Sequence, residues 1–127
     1  MGKDLSARRL EKAEASLKEA KMLLDSEHLY GATNRSYYCI FHCMRSIQAL
    51  ENIEFKKHSA VIAHFRNNYI KTNLFDKQIS KIISNLYELR NKSDYDDFFM
   101  LSKKEVTEQI ESAEYFFEEV KAYLKRL

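Results

Sequence analysis

No proline and no tryptophan occur in these 127 residues, and glycine occurs only twice. Sheet-rich and loop-rich folds of this length need many tight turns, and tight turns draw on proline and glycine. Their scarcity excludes a turn-dense β architecture. It leaves long helices with short joints, in keeping with a chain rich in Lys, Glu, Leu and Ala. No apolar run approaches the roughly 20 residues that span a bilayer. The N-terminus is charged and amphipathic, so no secretory leader is read there either, and a cytoplasmic setting without membrane contact is the expectation. Neither sign of charge dominates: 21 Lys and Arg stand against 19 Asp and Glu, a net charge of +2. A broad cationic field for general nucleic-acid binding is thereby excluded, and any contact with RNA has to be local. Cysteine is limited to Cys39 and Cys43, four residues apart. With His42 as the single further ligand nearby, the pair reads as buried reduced thiols rather than a metal site. No metal and no cofactor are expected.

What is present is periodic. Five segments carry apolar residues at spacings of three and four, the signature of helices with a buried face. The first runs from about Asp4 to Asp25, with Leu10, Ala13, Leu17, Ala20 and Leu24 opposite a charged face. The second, about Leu29 to Asn52, is apolar around most of its circumference, through Tyr37, Tyr38, Ile40, Phe41, Met44, Ile47 and Leu50. Such a helix is either central or carries a second apolar face for a partner chain. The third spans about Ser59 to Lys71 and the fourth about Phe75 to Ser93. The fifth starts at a capping box, Ser102 with Glu105 three residues on, and runs to the C-terminus. Short joints between long helices favour antiparallel neighbours. The expected fold is all-α: a five-helix, antiparallel, up-and-down bundle, with residues 1–127 forming one domain.

One stretch departs from this pattern. Arg90 continues the apolar stripe of Ile79, Ile83 and Leu86, and a guanidinium cannot shed its charge. Burying it unpaired is very costly, so Arg90 either pairs with an acid or lines a cleft. Asp94, one turn on, is a candidate partner, as are Asp96 and Asp97. On the second helix, Arg35, Tyr38 and His42 fall at i, i+3 and i+7 and share a face. They either line the same cleft as Arg90, or Arg35 pairs with an acid and His42 is a hydrogen-bonded core residue.

These two stretches together resemble the HEPN domain family, in particular its small stand-alone prokaryotic members. The carriers are Arg35-Ser36-Tyr37-Tyr38-Cys39-Ile40-Phe41-His42 and, later, Arg90-Asn91-Lys92-Ser93-Asp94-Tyr95, with His58 placed where such members often have a histidine. The resemblance implies a homodimer acting on RNA or a nucleotide, as a toxin or defence component beside a nucleotidyltransferase antitoxin. Catalytic HEPN proteins are metal-independent endoribonucleases bearing R-x(4–6)-H, with two motifs meeting across the dimer. Arg90 matches the arginine and Asn91 its polar follower, but Tyr95 stands where the histidine belongs. Asp97 occupies the position of the tyrosine that the nucleotidyltransferase modifies in toxin members. Arg90 and Tyr95 are therefore the candidate catalytic residues, and Asn91, Asp94, Arg35, Tyr38 and His42 the candidate RNA- or nucleotide-binding ones. A tyrosine near pKa 10 is almost fully protonated at neutral pH, so Tyr95 can donate a proton or stack on a base but is a poor proton acceptor. The alternative implied is a HEPN module that binds a nucleotide or a partner protein and cuts nothing.

Overall fold

A computed structural model describes residues 2–127. Its elements are α1 (Gly2–Asp25), α2 (Leu29–Ala49), α3 (His58–Phe65) with a single π-helical turn over Arg66–Ile70, α4 (Lys77–Tyr95) and α5 (Lys103–Lys125). There is no strand among the described residues. The expected all-α bundle is what forms.

The three-residue joint after Asp25 folds α2 back along α1, so that Arg9 bonds the Arg45 carbonyl and Gly2 lies against Ala49. A Cβ on Gly2 would sit 2.9 Å from the Ala49 carbonyl oxygen, which only glycine allows. Helices α4 and α5 are likewise antiparallel, with the Tyr115 hydroxyl donating to Asp76 at 2.6 Å, and Lys21 of α1 pairs with Glu114 of α5 at 2.9 Å. The capping box forms as expected: the Ser102 hydroxyl accepts from Glu105 N, and the Glu105 carboxylate accepts from Ser102 N. Asp76 caps α4 in the simpler way, accepting from Ile79 N.

Scarce glycine has a visible cost at the joints. Three residues sit at positive φ, Glu27 at 61°, Asn52 at 57° and Asn73 at 65°, and none is glycine. At Glu27 and Asn52 the helix ends in a six-to-one closure, His28 N to Leu23 O and Ile53 N to Gln48 O. Asparagine tolerates this conformation; glutamate gains nothing from it. Replacing the exposed Glu27 with glycine is therefore expected to stabilise the fold by about 1 kcal/mol, read as a melting point a few degrees higher.

Helix α2 is central. It packs against α1, α3, α4 and α5, and Tyr37, Cys39, Ile40, Cys43, Met44 and Ile47 are all essentially inaccessible. Of the two readings of its apolar circumference, the central one holds, and the surface of α2 is largely covered inside the protomer. Both thiols are free and buried, and burial pushes the Cys43 thiol well above its ordinary range. Where α3, its π-turn and α5 meet, Phe65 packs between Tyr69, Phe75 and Phe116 at ring separations of 5.2–5.5 Å. A second aromatic cluster, Tyr37, Tyr38, Phe41, His58 and Tyr87, forms where α2, α3 and α4 converge. That cluster floors the candidate site.

The sequence expectation differs from the structure at several helix ends, three of which bear on the site. Helix α2 stops at Ala49 rather than Asn52, the third segment relaxes into a π-turn before Ile70, and α4 runs on through Tyr95. The last difference matters most, because it makes Asp94 a helical i+4 neighbour of Arg90.

Candidate functional site

Arg90 projects from the last turns of α4 onto the aromatic cluster. Its guanidinium carbon lies 5.3 Å from the Tyr37 ring centre and 5.5 Å from that of Tyr38, within cation–π range. Nη2 donates to the Tyr38 hydroxyl at 3.3 Å, and Nε lies 3.1 Å from Asp94 Oδ2. That last contact is an ion pair by distance without the alignment of a hydrogen bond, so the buried Nε–H is left with no well-formed acceptor. The side chain is 18% exposed and that of Asp94 34%. Both alternatives read from the sequence are thus partly met: Arg90 pairs with Asp94, and it also reaches the surface over a tyrosine floor.

The stripe on α2 is assembled as its spacing predicts. The Arg35 guanidinium lies over the Tyr38 ring at 5.0 Å, and the Tyr38 and His42 rings are 6.1 Å apart. Arg35 is held by Asn34 Oδ1 through two hydrogen bonds and lies 3.7 Å from Glu19. Tyr38 therefore has two guanidiniums within cation–π range, Arg35 and Arg90.

His42 is not the hydrogen-bonded core residue considered above. Its Nδ1 is buried without a partner, and its pKa is pushed down to about 4, first by burial and then by Lys12, Arg45, Arg35 and Arg9 around it. An unfolded His42 takes up a proton near pH 6.5 while the folded one stays neutral down to about 4. Stability that is complete above pH 6.5 is therefore lost as the pH falls through that window. A His42→Phe variant is expected to show a flatter decline in melting temperature from pH 6.5 to 4 than the wild type.

The cations crowding His42 come partly from α1, which sequence reasoning did not connect to the site. Glu54 pairs with two of them, accepting from Arg9 Nη2 at 2.7 Å and from Arg45. Its carboxyl is held below the usual range by the Arg9 bond first, against an opposing push from burial, with Arg45 adding to the lowering. Around Tyr38 and His42, Arg9, Lys12, Arg35, Arg45 and Arg90 face Glu19, Glu54 and Asp94. That local surplus of two equals the net charge of the whole chain. A balanced overall composition thus coexists with a local excess of cations around these two rings.

His58 enters the site more firmly than its sequence position alone suggested. From the first turn of α3 its ring stacks on Phe41 at 4.1 Å, and its Nδ1 meets the Tyr37 hydroxyl at 2.9 Å. Its pKa is lowered by burial, then by Arg90 and Arg45. Between α3 and α4 a cleft of about 390 Å³ opens, bordered by Ser59, Ile62, Arg66 and Tyr87.

The remaining candidates lie outside this core. Asn91 is half-buried beside Arg90. Tyr95, at the end of α4, is 80% exposed, and Phe98 and Met100 beyond it are 91% and 79% exposed. Asp97 is likewise exposed in the joint to α5. No group of His, Cys, Asp and Glu able to hold a metal occurs among the described residues, and no described helix is long and apolar enough to cross a membrane.

The HEPN domain pattern matches residues 6–123, from the first turns of α1 to the last turn of α5. Relatives match over nearly the same span. A UPF0332 protein of Thermotoga maritima is 30% identical over 91% of this chain and 88% of its own. In Methanocaldococcus jannaschii, the protein named Putative toxin MJ0142 is 34% identical over 91% of this chain and 78% of its own. The one named Putative toxin MJ0605 is 32% identical over 93% and 87%. With this match covering the whole bundle, and with Arg90 seated on the Tyr37–Tyr38 floor, the chain belongs to the HEPN domain family.

Proposed function

We propose that this HEPN protein is a toxin-type component that engages RNA, or a nucleotide, through a phosphate held by Arg90. It does so as a homodimer and beside a nucleotidyltransferase partner. The observation that carries the reading is the Arg90 guanidinium. It is permanently charged, reaches the surface between Tyr38 and Asp94, and has Arg35 across the same ring. A planar fork of this kind suits two phosphate oxygens, and the tyrosine rings suit a neighbouring base. The names of the Methanocaldococcus relatives support the toxin part of the reading. The exposed Tyr95, Phe98 and Met100, at and beyond the end of the helix that carries Arg90, supply apolar surface for a two-fold contact.

Metal-independent RNA cleavage uses the 2′-hydroxyl as nucleophile and needs a proton acceptor, a proton donor and a cation against the phosphorane. Arg90 fits the last role. Tyr95, where the family motif has its histidine, is 80% exposed, and this favours the second reading, a module that binds without cutting. Incubating the wild type and Arg90→Ala with total tRNA, and scoring both filter retention and fragments, separates the two. Retention lost in the variant supports phosphate binding at Arg90, and fragments made by the wild type alone add catalysis. Equal retention by both proteins contradicts the proposal.

A further inference from the structure

His58 and Arg90 come from different helices yet rest on the same two rings. The His58 ring lies 5.8 Å from Tyr37 and 5.8 Å, edge-on, from Tyr38, and Arg90 covers both of those rings. Tyr37 is completely inaccessible, and burial keeps its phenol protonated far above neutral pH. A buried hydroxyl needs an acceptor, and the one in reach is His58 Nδ1 at 2.9 Å. Tyr37 O–H therefore donates to Nδ1, which fixes the neutral ring as the tautomer with its proton on Nε2. Among the described residues nothing pairs with that Nε2–H, and it is not among the buried polar atoms left without a partner, so it opens to solvent. The titratable and charged groups around the ring are Tyr37, Tyr38 and Arg45 of α2 and Arg90 of α4, beside the Phe41 ring it stacks on; none carries a negative charge.

An imidazole donor locked in place, facing outward and surrounded by cations, lacks one thing: an anion. We infer that His58 supplies from α3 the imidazole missing from the Arg90 segment, its Nε2–H bonding the phosphate that Arg90 holds, and that binding draws a proton onto the ring. The inference rests on the reading of Arg90 as a phosphate ligand and deepens it. In the free protein Arg90 and Arg45 disfavour the imidazolium. A bound phosphate offsets both charges, so the ring becomes easier to protonate in the complex. By linkage, whatever makes protonation easier on binding makes binding tighter as protons are added. On protonation Nδ1–H donates to the Tyr37 oxygen, and the Tyr37 O–H gives up the acceptor it had, a cost that the phosphate contact at Nε2 has to outweigh.

The test uses a fluorescently labelled, short single-stranded RNA with no terminal phosphate, since its phosphodiesters do not titrate. Anisotropy titrations from pH 8 to 5.5 are expected to show wild-type affinity rising about tenfold for each unit by which the ligand raises the His58 pKa. His58→Gln, which keeps a donor but cannot titrate, is expected to show a flat profile. Calorimetry of the wild type alone at pH 6.5, in two buffers of different ionisation heat, is expected to show proton uptake on binding; this needs no variant to fold. Parallel pH profiles for wild type and His58→Gln, or no proton uptake, overturn the inference. Loss of binding in Arg90→Ala alongside such parallel profiles removes His58 alone. Undiminished binding by Arg90→Ala removes the Arg90 reading, and this inference with it.

Discussion

Phe65→Ala is expected to lower the unfolding free energy by about 3–5 kcal/mol, the range for emptying a fully buried aromatic site. The size follows from what the ring touches. Phe65 has no accessible surface and contacts Tyr69 on the π-turn, Phe75 in the following joint and Phe116 on α5. Its neighbours cannot collapse into the gap without dragging three segments together, so little of the cavity is recovered. The ring also ties α3 to the rest of the bundle, and α3 carries His58. Urea denaturation is expected to show a lower midpoint at an unchanged slope. A loss below about 1.5 kcal/mol would mean that α3 is anchored elsewhere, since that is less than the cavity range allows.

Arg90→Ala is expected to act in the opposite manner, with little effect on stability and a large one on binding. Its ion pair with Asp94 is local and poorly aligned and contributes about 0–1 kcal/mol, and its seat over Tyr37 and Tyr38 adds about 0.5–1 kcal/mol. A charge-assisted bond to a phosphate contributes about 1.5–3 kcal/mol, so affinity for a short RNA is expected to fall roughly 10- to 150-fold. The slope of log affinity against log salt is expected to drop by about 0.7, the value for one phosphate contact on a single strand. Arg90→Lys is expected to restore only part of the affinity, because an ammonium cannot bind two phosphate oxygens in a plane as the guanidinium fork does. A stability loss of several kcal/mol with RNA binding intact would make Arg90 a structural anchor instead.

How far the sequence discloses this arrangement depends on how local each interaction is. The helices are legible because a chain without proline has little else to build with, and the Ser102–Glu105 cap is a contact across three residues. The row of Arg35, Tyr38 and His42 is legible for the same reason, as is the pairing of Arg90 with Asp94. The path of α4 past Ser93 is less so: the aspartates beyond it look like loop residues until Asp94 is seen to pair back within the helix. The π-turn after Phe65 leaves no mark in the apolar spacing. The bond between Tyr37 and His58 spans 21 residues and exists only because α3 folds over α2. The cations that hold His42 neutral arrive partly from Arg9 and Lys12, a helix away. The apolar circumference of α2 is visible and offers two readings, a central helix or a face for a partner chain; its contacts with four helices of the same chain make it central.

Arg90 Nε–H is shielded from water, which makes its proton observable by NMR. Following that resonance while short single-stranded RNA is added puts the question to the guanidinium itself. A progressive shift of the Arg90 Nε–H signal, saturating with the binding curve, is the expected result. A signal that stays in place while the RNA binds would contradict phosphate capture by this side chain.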